Sequence, residues 1–318
     1  MSEKQLGQGG FADAFVAIGA GSNKRLDRID ALIDWSEIET LLRPIRSKLG
    51  RGGYPALSLF KASLLAQWYG LSDPGLEEAL GDRLSFRRFC GFSLSDKTPD
   101  ETTFVRFRQA LRGHGLHGRL FDEIARQLDD KQLILRQGTL VDATLVGAAT
   151  SRPRLDASAD EVPDKDANWT KRGSRSHYGY KVHVGIDQGS GLIRSRVLTP
   201  AKTYESEVAD ELVLCDEAAV YADKAYEHKK RRIWLKSRGI KDRIMHRSHK
   251  NQSALPHWQA VRNKLISPIR SAVEQVFGLM KRSYGFTRMH YVGLEANAVH
   301  LDLLCIAINL RRAERLMP

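Results

Sequence analysis

At Gly138 the chain changes period. Upstream, apolar residues recur at helical spacing: Leu57, Phe60, Leu64, Leu65 and Trp68 fall on one face of an amphipathic helix. Downstream the apolar runs shorten, beginning with Thr139 to Leu145, the length of a buried strand. Period 3.6 and short apolar runs do not share one layer. The chain is therefore expected to divide into a helical part and an α/β part.

The helical part has punctuation as well as period. Asp73-Pro74 reads as an N-cap followed by proline at the first helical position, opening a helix through about Leu84. Thr98-Pro99-Asp100-Glu101 reads as a capping box that opens another helix through about Arg112. On that helix Phe104, Phe107 and Leu111 form the apolar stripe, leaving Arg106, Arg108 and Arg112 on other faces. Leu26 to Leu42 is expected to hold one or two short helices behind a glycine-containing, flexible lead-in. The expected division is a lead-in over 1–50, a basic all-helical domain over 51–131, and a second domain over 132–318.

The second domain reads as a strand (Thr139 to Leu145), then a polar, irregular stretch over 152–177. A hairpin follows, Tyr178 to Asp187 and Leu192 to Leu198 around Gln188-Gly189-Ser190-Gly191. Next come a helix from Glu205 to Cys215, a strand from Ala219 to Asp223, and a very basic helix from Glu227 to Ser237. A strand from Ile240 to Met245, a long helix opened by Ser267-Pro268, and a helix from Leu294 to Arg315 complete it. That order predicts a ribonuclease-H-like α/β core, and for the whole chain an α+β combination of helical and α/β domains.

Three acidic residues stand where such a core converges. Asp142 interrupts the apolar run Leu140-Val141-Asp142-Ala143-Thr144, where a carboxylate is costly unless paired or metal-bound. Asp223 ends Val220-Tyr221-Ala222-Asp223, and Glu274 lies on the late helix. Carboxylate oxygens suit Mg²⁺, and two such ions roughly 3.5–4 Å apart can support phosphodiester cleavage. Each residue also has an ordinary reading: a hydrogen-bonded strand Asp, a helix cap or a surface pair with Lys224 at Asp223, and an i,i+4 pair between Arg270 and Glu274. Beside the apolar stripe Ile269, Val273, Val276, Phe277 and Met280 runs a second one, Arg270, Glu274 and Lys281, suited to gripping phosphates on either side of a metal.

Charge points to the same partner. The 318 residues carry a formal net charge of +12 with 42% hydrophobic residues, enough apolar content for a core and a basicity that favours nucleic acid. Eleven Lys and Arg lie from Lys224 to Lys250 against only Glu227 and Asp242; Arg231 and Arg232 sit in that stretch and are expected to face DNA. Lys181 and His183 alternate to one face of the hairpin, with Lys181 a candidate for the DNA or metal site. Three scattered cysteines indicate neither disulfides nor zinc, and a cytoplasmic protein is expected. No apolar run predicts a membrane span, and the start MSEKQLGQGG does not read as a signal peptide.

Taken as a set, these segments resemble the DDE transposases of bacterial insertion sequences, specifically the insertion-sequence-five family. The resemblance runs through QWYGLSDPGLEEALGDRLSFRRFCG (67–91), TPDETTFVRFR (98–108), VDATLV (141–146), YGYKVHVGID (178–187), YADKAY (221–226) and IRSAVEQVFGLMKRSYGF (269–286). It implies that Asp142, Asp223 and Glu274 are the catalytic, metal-binding triad and that Arg270 and Lys281 are the basic members of the tyrosine–arginine–glutamate–lysine signature. The signature's tyrosine falls on Ser267. The resemblance further implies a helical N-terminal DNA-binding domain, to which Arg106 and Arg108 would contribute, and a Mg²⁺-dependent reaction in which Mn²⁺ substitutes. Double-stranded DNA, both the element ends and the target, is the implied partner. A homodimer or larger synaptic complex in the bacterial nucleoid is the implied setting. The alternative is an inactive or domesticated relative that only binds and regulates DNA.

Overall fold

The computed structural model describes residues 6–7, 23–45, 53–154, 161–248 and 254–317. Half of the expected lead-in, and Lys250, therefore lie outside the described residues. The chain forms two compact units, Met1–Lys131 with Val299–Pro318, and Gln132–Ala298.

The described part of the first unit is helical: α1 (Lys24–Leu32), α2 (Trp35–Leu42), α3 (Ala56–Tyr69), α4 (Asp73–Asp82), α5 (Leu84–Cys90), α6 (Glu101–Gly113) and α7 (Leu116–Asp130). Two starts differ from expectation by where an oxygen finds its amide. Ser72 Oγ accepts from the Gly75 N–H, so the cap of α4 lies one residue before Asp73. Asp100 Oδ1 accepts from the Thr103 N–H at 2.7 Å, so α6 starts two residues after Pro99. The helix from Asp73 also stops early, because Arg83 is extended and α5 begins at once.

The last helix (Leu294–Leu316) is a further departure. Its residues from Val299 onward belong to the first unit, although the sequence reading carried the second domain to 318. The cause is an apolar surface on every side, with Leu301, Leu304, Ile306, Ile308 and Leu310 all buried. Trp68 Nε1 donates to the Ala307 carbonyl at 2.8 Å, and His117 Nδ1 lies 2.6 Å from Asp302.

The second unit is built on a mixed six-stranded sheet: β1 (Thr139–Gly147), β2 (Asn168–Arg172), β3 (Arg175–Asp187), β4 (Ile193–Pro200), β5 (Ala219–Ala222) and β6 (Lys241–Ile244). β3 runs antiparallel to β1, and also to β4 and β2. β1, β5 and β6 are parallel. β2 and the start of β3 lie inside the stretch expected to be irregular; Trp169 and Tyr178, paired across the two strands, stack with centroids 5.3 Å apart. Gly179, at φ +152°, lets β3 pass β1, since a Cβ there would lie 2.3 Å from the Val146 carbonyl oxygen.

The helices of this unit are α8 (Glu205–Val208), continued by a 3₁₀ turn (Ala209–Leu212), α9 (Lys229–Ser237), α10 (His257–Arg270), α11 (Ala272–Ser283) and the start of α12 (Leu294–Leu316). Leu212, Val213, Tyr226 and Leu235 pack with Val141, Val220 and Ala222 of the sheet. Pro268 does not open a helix as expected. It lies in the last turn of α10, and the chain restarts as α11 at Ala272. A proline removes one backbone donor, and that loss is tolerated where the helix is ending.

Candidate active site

Strand register sets the first two carboxylates side by side. Leu140 pairs with Tyr221 and Val141 with Ala222 in the parallel ladder, so the next positions, Asp142 and Asp223, fall beside each other where β5 runs out. The carboxyl ends of parallel strands are where open α/β sheets gather ligands. Asp223 is also the cap of a 3₁₀ turn (Lys224–Tyr226), accepting from the Ala225 N–H at 2.7 Å. The ordinary reading and the functional one thus hold together at this residue.

Asp142 accepts from the Ala143 N–H at 2.8 Å and from Arg270 Nη1 at 2.7 Å. The other arm of the same guanidinium, Nη2, donates to Glu274 Oε1 at 3.0 Å. Arg270 therefore stands between the second carboxylate pair, reaching Asp142 from the end of α10 and Glu274 across the break before α11. Burial lifts the Asp142 carboxyl to about 6; the Ala143 amide and Arg270 oppose the rise, and the charges of Asp223 and Glu205 add to it. Glu274 is mostly exposed, with 63% of its side chain open to solvent.

Lys281 donates to Thr144 Oγ1 at 2.6 Å, one outward step along β1 from Asp142. Its ammonium is held below the ordinary lysine range, first by burial and then by Arg172. Alternation along β1 puts Asp142 and Thr144 on the face reached by Arg270 and Lys281. Lys181 and His183 pair with Leu145 and Ala143, and so lie on the opposite face.

Several cations expected on DNA have protein partners instead. Arg231 is buried; it binds Asp210 and the carbonyls of Tyr226 and Ser206. Arg232 is engaged by Asp242 and Glu227. Arg108 makes a bidentate pair with Asp73, at 2.8 and 2.5 Å. Lys181 donates to the Thr203 carbonyl at 2.8 Å and lies 3.5 Å from Glu205. Each finds a carboxylate or carbonyl within reach of the folded chain and takes it. Arg106 stays exposed, as do Lys229, Lys230, Lys236 and Arg238 around α9.

Among the described residues no three His, Cys, Asp or Glu stand close enough to enclose a metal as they are. The donors nonetheless fit a hard divalent cation. Asp142 and Asp223 offer only oxygen, the register sets them side by side, and burial of Asp142 outweighs the support its ionised form has from Arg270. Mg²⁺, which keeps several waters and takes few carboxylates, suits so open a set. Glu274 gives its Oε1 to Arg270.

Two groups beside this pair carried little signal in the sequence. Tyr226 is buried, and its hydroxyl has no hydrogen-bond partner among the described residues. The charges of Asp142, Glu205 and Asp223 act on it. Only the three-residue spacing from Asp223 hinted at Tyr226, and nothing local marked Glu205.

Residues 134–310 match the family model described as Transposase DDE domain, more than half of the chain. Residues 18–110 match one described as Transposase domain (DUF772). Among solved structures, the cryo-EM structure of a piggyBac transposase synaptic complex with hairpin DNA is 11% identical, with a TM-score of 0.49. The alignment covers 95% of this chain and 77% of that one, a likeness too slight to carry an argument.

Proposed function

The chain belongs to the DDE transposase family, and from that premise we propose that it cuts and joins DNA at Asp142, Asp223 and Glu274. The observation that carries the proposal is the parallel register of β1 and β5, which sets Asp142, within β1, beside Asp223 where β5 ends. The domain it belongs to implies a ribonuclease-H-like core, and the mixed sheet agrees with it.

The substrate is the terminal inverted repeat of an insertion sequence of the insertion-sequence-five type, in a bacterial host. In the first step water attacks phosphorus at the element end, the P–O3′ bond breaks, and the element keeps a free 3′-hydroxyl. In the second, that hydroxyl attacks a target phosphodiester and displaces the target's own 3′-oxygen. Divalent ions, Mg²⁺ with Mn²⁺ as substitute, would supply an activated oxygen and charge relief on the leaving one. Asp142 and Asp223 would hold them, and Glu274 would complete the set after letting go of Arg270. Arg270, so freed, and Lys281 would then bind phosphates flanking the scissile bond. Both steps exchange one phosphodiester bond for another or for water, so no nucleotide cofactor is required.

End recognition is assigned to residues 51–131, where Arg106 remains an exposed cation on α6. Two ends must be handled together, so a dimer or larger synaptic complex is the working assembly. The test is incubation of the protein with its own element ends and Mg²⁺, followed by mapping of cleaved and joined strands. Nicks at the ends and joined products that vanish in EDTA are expected. Binding without cleavage under every metal condition would overturn the proposal.

A further inference from the structure

The charge of a third carboxylate, Glu205, acts on Asp142 from the side of the sheet that carries Lys181. Glu205 opens α8, and the 3₁₀ turn after Asp223 packs against that short helix. A single guanidinium holds the two segments together. Arg231 donates to the Tyr226 carbonyl at 2.6 Å and to the carbonyl of Ser206, the residue after Glu205. Asp210 anchors the same arginine. β5 ends at Ala222, so beyond that point no strand separates the two layers next to Asp142.

Into this place comes the Tyr226 hydroxyl. The residue is 1% exposed and its oxygen has no hydrogen-bond partner among the described residues, a costly arrangement in a finished protein. Burial weighs most on this hydroxyl, and of the charges that act on it Asp142, Glu205 and Asp223 are negative and Arg231 is positive. A phenol donor left unsatisfied beside three carboxylates is a group awaiting an acceptor that arrives with a ligand. The local charge also lacks balance. Against three carboxylates stand Arg270, shared by Asp142 and Glu274, Lys181, 3.5 Å from Glu205, and Arg231, already paired with Asp210.

Resting on the reading above, we propose that Glu205 is a fourth carboxylate of the acidic centre, facing the water shell of the same divalent cation as Asp142 and Asp223, with the Tyr226 hydroxyl as the positioning donor. Lys181 and Arg231 then serve the centre from behind, one neutralising Glu205 and the other fixing its segment. Glu205 is 63 residues beyond Asp142 and 18 before Asp223, and only the packing of α8 brings it there.

The test uses the full chain without DNA, so that metal binding is read apart from activity. Mn²⁺ is titrated against thermal midpoint and by calorimetry for the native protein, Glu205→Gln, Tyr226→Phe and Asp142→Asn. Glu205→Gln is expected to weaken Mn²⁺ binding about tenfold, equivalent to about 1.4 kcal/mol. Tyr226→Phe removes only an unpartnered hydroxyl, so its midpoint in EDTA should be unchanged or higher while its Mn²⁺ affinity falls several-fold. A merely structural tyrosine would show neither the split nor the loss. Native Mn²⁺ affinity in both variants, with Asp142→Asn impaired, would overturn this inference and leave the triad standing. An Asp142→Asn variant that binds Mn²⁺ like the native protein would overturn both.

Discussion

The two units handle buried charge in opposite ways. In the first, Arg87 is buried and all three of its guanidinium nitrogens are engaged, donating to the carbonyls of Leu80, Ser93, Leu94 and Asp96. These bonds lock α5 to the loop that follows. In the second, Asp142 is largely buried and under-compensated, with one backbone amide and a guanidinium it shares with Glu274. A satisfied charge builds a fold, whereas one short of partners is free to take a ligand. The basic composition alone does not distinguish the two uses.

The largest test of that contrast is chemical. Asp142→Asn keeps the shape of the side chain and removes its charge, so cleavage of element ends should fall on the order of a thousandfold or more, since the ions stabilise the transition state. End binding in a gel shift should not weaken. If the variant still cleaves at a near-native rate in Mg²⁺, the contrast between the units loses its functional half.

Arg87→Ala should do the reverse. Stripping several charge-assisted bonds from buried carbonyls is expected to cost about 4 kcal/mol of stability. Hydrogen exchange should place that loss in α4 and α5. Cleavage per folded molecule should stay native, and a variant that folds normally yet loses cleavage would assign Arg87 to DNA.

The pH response should come from the second unit. His183 is fully buried, with Nε2 3.0 Å from Thr199 Oγ1, and burial pushes its imidazole down to about 4, with Lys181 adding to the shift. The unfolded chain therefore takes up this proton first as pH falls. The stability that neutral His183 contributes is complete above about pH 6.5 and is lost progressively down to pH 4, about 3 kcal/mol in all. Denaturant unfolding of His183→Gln should show a flatter pH dependence across that window. An unchanged slope would mean that another group sets it.

The smallest effect belongs to an exposed cation. Arg106→Ala should change stability by no more than about 0.5 kcal/mol and lower the salt slope of end binding by about one. A slope unchanged within error would remove Arg106 from the interface.

Much of this was legible because it is local. The change of period at Gly138 marks the boundary between helical and strand-bearing segments, and α3, α6, β1 and β5 lie close to their expected spans. The cap errors at Ser72 and Asp100 are one or two residues, since several neighbouring oxygens compete for the same amide. The polar sequence around Trp169 hid β2, because a strand held by one aromatic pair has no period to read.

The sequence by itself determined the kinds of group available: a carboxylate inside an apolar run, another at a strand end, and a helix carrying Arg270, Glu274 and Lys281. Those follow from residue identity and from spacings within a few turns. Only the tertiary structure decided which cation serves which anion. Arg270 meets Asp142 across 128 residues, Arg231 turns inward to Asp210, Arg108 closes on Asp73, and Lys181 lies 3.5 Å from Glu205. The physical reason is that a long, flexible basic side chain binds whatever acceptor folding brings within about 3 Å. No spacing along the chain encodes that distance.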